Sequence, residues 1–577
     1  MSLPTTAATW KSGRFLHQSQ GKEVITMLTT TWKRTLFLGS LLCLPLSFAQ
    51  AESTAPEVPV APSQPTLNVA TLAPNTQISG RVAYRDIRFP ATLLIKDQRG
   101  VQRNVKTDIQ GRFYADVSSL VAPLRLSAIE AGGQHCLASN QLRAVCLSAL
   151  VPQLRDGHEN HININPLTDR ILSDVAASAG YIGPQQLIDA AVLPALSATA
   201  WETAYREFHA GFDDALKQAG IAVPTQFDPL TYPDTLTPAF TQVLQVINHA
   251  RNYHNDSGQA GHTVLTDIVF RPIIGLNASG SYEPLDLTSA NQHRKALEQA
   301  RTRIFIVSDS TAATYEKARF PRMGWGQVFE QQFRPGSHIA VVNGARSGRS
   351  SRDFYYEGWF RQMEPFMRPG DYLFIGMGHN DQNCDSQKAV RGAADVANLC
   401  TYPNSADGKP QYPQGKPDMS FQISLERYIR YARAHRMIPV LLTPTARVKN
   451  AEGKNGTPAV HSHLTKQNKA GGYAFIGDYT QTIRDTASKN KVPLLDVETA
   501  TLALANQGDG QQWQQYWLAV DPERYPYYRD QAGSLTQPDT THFQQKGAQA
   551  VAVIVADQIN ATPSLRELAG KLQPADR

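Results

Sequence analysis

Cysteine is scarce in this chain, with five among 577 residues and no Cys-x-x-Cys spacing. That excludes the common structural zinc clusters and predicts no bound metal or other cofactor. Surplus charge is small as well. The formal net charge is +6, but residues 1–51 hold Lys11, Arg14, Lys22, Lys33 and Arg34 against Glu23. Without them, 51 Lys and Arg face 49 Asp and Glu. That balance lacks the basic excess on which nucleic-acid binding depends, so no nucleic-acid partner is expected. Beyond residue 51 there is no apolar run of the roughly 18 residues a membrane span needs, so no membrane partner is expected of the mature chain. The composition, 41% apolar and 18% charged, is that of a globular protein, and the length calls for about two to four domains.

Residues 27–51 read as a secretory signal peptide. Lys33-Arg34 is its basic start, Thr35 to Phe48 its largely apolar run, and Ala49-Gln50-Ala51 its small-residue cleavage site. The run is too short to span a bilayer and contains Pro45. Residues 1–26 resemble no part of such a signal, which makes Met27 the expected start and residues 1–26 an upstream extension. The expected location is therefore extracellular or periplasmic, with a secretion machine as a partner. Cys136, Cys146, Cys384 and Cys400 then lie in an oxidising compartment. Closeness in sequence favours Cys136–Cys146 and Cys384–Cys400, one of three connectivities.

Residues 52–76 are rich in Pro, Ser and Thr and read as a linker. From 77 to 150 short alternating strands, separated by turns such as Asp97–Gly100 and Asp108–Gly111, predict a small β-sandwich, immunoglobulin-like or transthyretin-like, and a structural spacer. Residues 151–300 show helical periodicity, with helices expected at Pro166–Ala179, Pro184–Ala191, Ala200–Ala219 and Pro238–Tyr253. His249 and His254 there are expected to be plain surface histidines. From 301 to 562 apolar strands alternate with helices: strands at Ile304–Val307, Ile339–Val342, Tyr372–Gly376, Ile438–Leu442 and Val492–Leu495, helices at Gly324–Gln332, Phe421–His435, Ile476–Lys489 and Gln544–Ile559. That alternation predicts a three-layer α/β/α domain around a parallel sheet. Residues 563–577 form a tail.

Sites in such sheets form at the carboxyl ends of the strands. Three polar segments directly follow strand ends there: Ser308-Asp309-Ser310-Thr311, Asn343 to Ser350, and Gly378-His379-Asn380-Asp381. A fourth, Asp539-Thr540-Thr541-His542, precedes the last helix. Ser310 is the candidate nucleophile, His542 its base, and Asp539 the carboxylate that orients the imidazole, provided that the segment forms a turn. The backbone N–H groups of Ser310 and Gly348 and the side-chain amide of Asn380 are candidate oxyanion donors. Taken singly, Ser310 and Asn380 fit helix caps better, Gly348 fits an ordinary turn better, and an Asp-x-x-His spacing is common by chance.

Together the four segments resemble the SGNH (GDSL-like) hydrolases, and within them the pectin and rhamnogalacturonan acetylesterases of carbohydrate esterase family 12. Asn343 to Ser350 fits that family's Asn-x-Ala-x-x-Gly-Arg-Ser, and Gly324-Trp325-Gly326, Gly370-Asp371-Tyr372, Gly378 to Asp381 and Asp539 to His542 fit its other blocks. Ser308 departs from the pattern, which usually has glycine there. The resemblance implies an exported serine esterase that removes O-acetyl groups from acetylated pectin through an acyl-enzyme. The alternatives are another polysaccharide acetylesterase, a lipase or thioesterase of the same superfamily, and a non-enzymatic glycan-binding protein. An acidic sugar makes Arg346, Arg349 and Arg352 candidate carboxylate ligands, with a structural pairing of Arg349 to Asp353 or Glu357 as the alternative. The segment Asn383–Ser420, with Tyr402 and Tyr412, is read either as a groove wall or as a solvated insertion. His461 and His463 admit reading as a metal pair, but they lie in a Gly-rich, Lys-rich loop, and a plain surface location is the expectation.

Overall fold

The computed structural model describes residues 71–574, apart from 86–88, 134–144, 182, 195, 233–236, 249–251, 255–259, 264, 277–278, 280, 357, 383–400, 414 and 466–476. The signal, most of the linker, His249, Glu357, Cys136, Cys384 and Cys400 therefore lie outside the described residues. Cys146 is disulfide-bonded, and every other cysteine lies outside that set.

Five parallel strands organise the C-terminal half. They lie side by side in the order Ile339–Asn343, Thr302–Ser308, Tyr372–Gly376, Ile438–Leu442 and Leu494–Leu495. Both faces are covered, which is why the strands read as unbroken apolar runs rather than alternating ones. Ile304 and Ile306 face Trp325, Phe329 and the last long helix, Gln545–Ala561. Phe305 and Val307 face the helices Phe421–Ala434 and Tyr479–Asn490. The expected strands are all present, the last shortened to two residues. The first strand in sequence sits between the second and third, so the chain crosses over next to it and opens a crevice at its carboxyl end.

Two antiparallel-rich sheets precede this domain. One holds Gln102–Lys106, Ala91–Lys96, Leu124–Glu130 and Cys146–Val151; the other holds Arg112–Asp116, Gln77–Arg81 and Glu159–His161. Their inward residues, among them Ile78, Leu93, Ile95, Leu126 and Leu147, share one core. The helices Pro166–Ser178, Pro184–Asp189, Ala198–Gln218, Pro238–Val246 and Leu287–Gln299 follow. The fourth ends at Val246 rather than running on to Tyr253, because Asn252–His254 pairs as a strand with Ala260–Thr263. Leu297 of the fifth helix and Ile268–Phe270 pack against Phe305 and Leu373, so the helical region covers part of the parallel sheet. Among the described residues no helix is long and apolar enough to cross a membrane.

Candidate active site

Ser310 lies in the turn that leaves the first parallel strand. Asp309 shapes that turn: its Oδ1 accepts the N–H and the hydroxyl of Thr311, each at 2.9 Å. Burial pushes the Asp309 carboxyl up, against the pull of Thr311, His542 and Arg447. Gly324 and Gly326 let the next segment approach the turn closely. A Cβ on Gly324 would lie 2.3 Å from the Ala312 carbonyl carbon, and one on Gly326 2.7 Å from the Ala312 oxygen. Ser308 pairs across the sheet with Gly376, whose carbonyl accepts the Ser308 hydroxyl at 2.6 Å.

His542 and Asp539 come from a strand that pairs antiparallel with Trp517–Leu518 and is irregular between them. Asp539 and Phe543 oppose adjacent residues, Leu518 and Trp517, so residues 540–542 bulge from the ladder. Asp539 Oδ1 accepts the N–H groups of Thr541 at 2.9 Å and His542 at 3.1 Å. The sequence suggests a turn here; a bulged strand does the same work. His542 Nδ1–H donates to Asp539 Oδ2 at 2.6 Å, and the Ser310 hydroxyl donates to His542 Nε2 at 2.7 Å. Burial raises the Asp539 carboxyl, but His542, Arg322 and the Thr541 N–H outweigh it and hold it well below the ordinary carboxylate range.

The turns carrying Gly348 and Asn380 adjoin this chain. Tyr315, which has no signature in the sequence, ties two of them together: its hydroxyl donates to the Ser310 carbonyl at 2.6 Å and lies 3.1 Å from Ser347 Oγ. Asn343 Nδ2 donates to the Ala312 carbonyl at 2.7 Å. Gly348 takes φ +76°, a left-handed backbone that favours glycine. Asn380 Nδ2 donates to the Arg349 carbonyl at 3.3 Å. Arg447 steadies the Asn380 turn through the His379 carbonyl at 3.1 Å and Gln382 Oε1 at 2.6 Å.

The three arginines make contacts within the protein. Arg346 lies 4.5 Å from the Trp359 ring centre and 5.3 Å from that of Phe270. Arg349 donates to the Ser347 carbonyl at 2.8 Å, while Asp353 receives the Ser350 N–H. Arg352 pairs with Asp418 at 2.9 Å. Tyr402 is buried, whereas Tyr412 is exposed. His463 is a correction. It is fully buried rather than at the surface, and together with half-buried His461 it contacts Glu498. No spacing rule links residue 498 to this loop; the fifth parallel strand delivers it, since the helix that bears it, Val497–Ala505, starts just beyond Leu495.

A parallel sheet covered on both faces, with a hydrogen-bonded serine, histidine and aspartate at its carboxyl edge, has the architecture of a hydrolase. The particular family follows from sequence comparison. Residues 309–550 match the model of the GDSL-like Lipase/Acylhydrolase family, a likeness that supports carboxylic ester hydrolysis by this part of the chain. Rhamnogalacturonan acetylesterase RhgT of Bacillus subtilis (strain 168) is 28% identical over 257 residues, 44% of this chain and 88% of that protein. The probable rhamnogalacturonan acetylesterase YesY of the same organism is 28% identical over 259 residues, 44% of this chain and 91% of its own length. Rhamnogalacturonan acetylesterase of Emericella nidulans is 33% identical over 95 residues, 16% of this chain and 34% of that protein.

Proposed function

We propose that this protein removes O-acetyl groups from pectic polysaccharide through an acyl-enzyme on Ser310. The observation that carries the reading is the continuous Ser310–His542–Asp539 hydrogen-bond chain, at 2.7 and 2.6 Å. Ser310 Oγ attacks the acetyl carbonyl while His542 Nε2 takes its proton. Asp539 holds the imidazole in the required tautomer and stabilises the imidazolium. The negative oxygen is held by the N–H groups of Ser310 and Gly348 and by Asn380 Nδ2. His542 then returns the proton to the departing sugar oxygen. A water gives its proton to His542 and attacks the acyl carbon; His542 then passes that proton to Ser310 Oγ as the acetyl–oxygen bond breaks, and acetic acid leaves with the serine hydroxyl restored.

Three of the four curated relatives carry the name rhamnogalacturonan acetylesterase, one of them as probable, and the fourth is an uncharacterized esterase; those names favour rhamnogalacturonan over homogalacturonan as the acetylated chain. Arg349, next to Gly348, is a candidate for a uronate carboxylate, as are the neighbouring Arg346 and Arg352. The signal-like residues 27–51 and the disulfide-bonded Cys146 support export, with Cys136 as the partner of Cys146 and Cys384 paired to Cys400.

The test is acetate release from acetylated rhamnogalacturonan, acetylated homogalacturonan and acetylated xylan, with acetyl and octanoyl model esters alongside. Pectic substrates and acetyl esters should be preferred, and Ser310→Ala should abolish turnover while leaving the circular dichroism unchanged. Normal turnover by that variant sinks the acyl-enzyme reading. A preference for octanoyl ester moves the protein to the lipases, and pectin binding without acetate release makes it a glycan-binding protein.

A further inference from the structure

Two imidazoles outside the Ser310 chain converge on one carboxylate. His461 Nδ1 lies 2.9 Å from both oxygens of Glu498, and His463 Nδ1 lies 2.5 Å from Oε1. Both rings thus turn the same nitrogen inward. Their outer nitrogens are held separately: His461 Nε2 lies 2.9 Å from Asp478 Oδ2, and His463 Nε2 lies 3.3 Å from His379 Nδ1. One donor atom from each of His461, His463 and Glu498 falls within 4.8 Å of the others. His463 and Glu498 are sealed from solvent, while the His461 side chain is 30% exposed and leaves an approach from outside.

We propose that His461, His463 and Glu498 form a binding site for one divalent transition-metal ion of the zinc type. Two imidazole nitrogens and a carboxylate oxygen are a donor set that zinc accepts, with water from the His461 side as the fourth ligand. Metal-bound histidines usually have their other nitrogen beside a carboxylate or another polar group; His461 Nε2 has the Asp478 carboxylate as an ion-pair neighbour, and His463 Nε2 has the His379 ring. The inner separations are hydrogen-bond lengths, as expected when protons occupy the place between the donors. Binding replaces inward-facing protons, so affinity must fall as the pH falls.

The loop bearing both histidines would thereby be pinned to the helix Val497–Ala505 and to His379, the neighbour of Asn380. Nothing in the inference depends on Ser310 being a nucleophile. The ion has a structural place beside the hydrolytic site and takes no part in its chemistry.

The experiment uses the full chain, stripped with a chelator and titrated with zinc alone by calorimetry. About one ion per chain should bind, more weakly near pH 5.5 than near pH 7.5, and raise the thermal midpoint. Glu498→Gln and His461→Ala should each lose roughly tenfold or more in affinity, while Ser310→Ala binds as the wild type does. Glu498→Gln keeps the side-chain shape and His461 is partly exposed, so both variants should stay folded, as circular dichroism would verify. If the buried His463→Ala fails to fold, those two still decide the matter. Absence of saturable binding by folded wild type, or unchanged affinity in both variants, would overturn the site and leave a hydrogen-bonded cluster only.

Discussion

The buried carboxylate of Asp381 accepts the backbone N–H of Ser351 at 3.1 Å and its hydroxyl at 2.7 Å, joining the Asn380 turn to the Gly348 turn. Thr401 donates to the same carboxylate, and the Ser351 hydroxyl also reaches Ser424. The two turns that bear candidate oxyanion donors therefore share one anchor.

Removing that anchor should loosen both donors. Asp381→Ala leaves the buried Ser351 N–H without its partner, a loss of about 1–3 kcal/mol. Urea unfolding should show that loss, and kcat should fall more than KM rises. Unchanged kcat in a folded variant would separate Asp381 from catalysis.

Asp381 also predicts a pH dependence of stability. Burial raises its carboxyl from 3.8 to about 6, against the hydrogen bonds from Thr401 and Ser351. A raised folded value means that the stabilising contribution is full below the unfolded value and is lost as pH climbs through about 6. The span corresponds to roughly 3 kcal/mol. Wild type should lose this stability relative to Asp381→Asn between about pH 4 and pH 7, as denaturation midpoints would reveal.

Asp539 has the opposite sign. Its folded value is depressed, so its contribution is present above the ordinary carboxylate range and is lost on further acidification. Asp539→Asn should flatten the acid-side loss of stability. It should also lower kcat by roughly 10⁴-fold on an acetyl ester, because the amide favours the wrong imidazole tautomer and no longer stabilises the imidazolium.

Gly326 offers a packing test away from the reacting groups. A Cβ there would stand 2.7 Å from the Ala312 oxygen and 2.8 Å from Asn343 Nδ2, where it would break the hydrogen bond between them. Gly326→Ala should cost about 1–3 kcal/mol by overpacking. It should also reduce turnover by displacing the Ser310 turn; a thermal midpoint and kcat measured together would check both.

Asn380→Ala probes the oxyanion donors directly. Loss of one such donor costs about 10²–10³ in kcat, with the fold retained. Tyr315→Phe should show a smaller loss, about tenfold for roughly 1.4 kcal/mol, because it only positions the Ser310 and Ser347 segments.

Some of this was readable without coordinates because the physics is local. An unbroken apolar strand such as Tyr372–Gly376 announces a sheet buried on both faces, and polar residues just past its end announce a site. Ser308 shows the limit. It looks like a defect where glycine is usual, yet its hydroxyl is satisfied by the carbonyl of Gly376, 68 positions away.

The order of strands and polar segments along the chain thus determined the domain architecture and the identity of Ser310, Gly348, Asn380, Asp539 and His542 as candidates. Only the folded structure decided that a bulged strand brings Asp539 and His542 into line with Ser310. It alone placed Tyr315 and Asp381 as ties between turns, and it buried His463 against Glu498. Periodicity reports how each segment meets solvent, but contacts between residues dozens of positions apart depend on how strands stack and loops return, which no local pattern encodes.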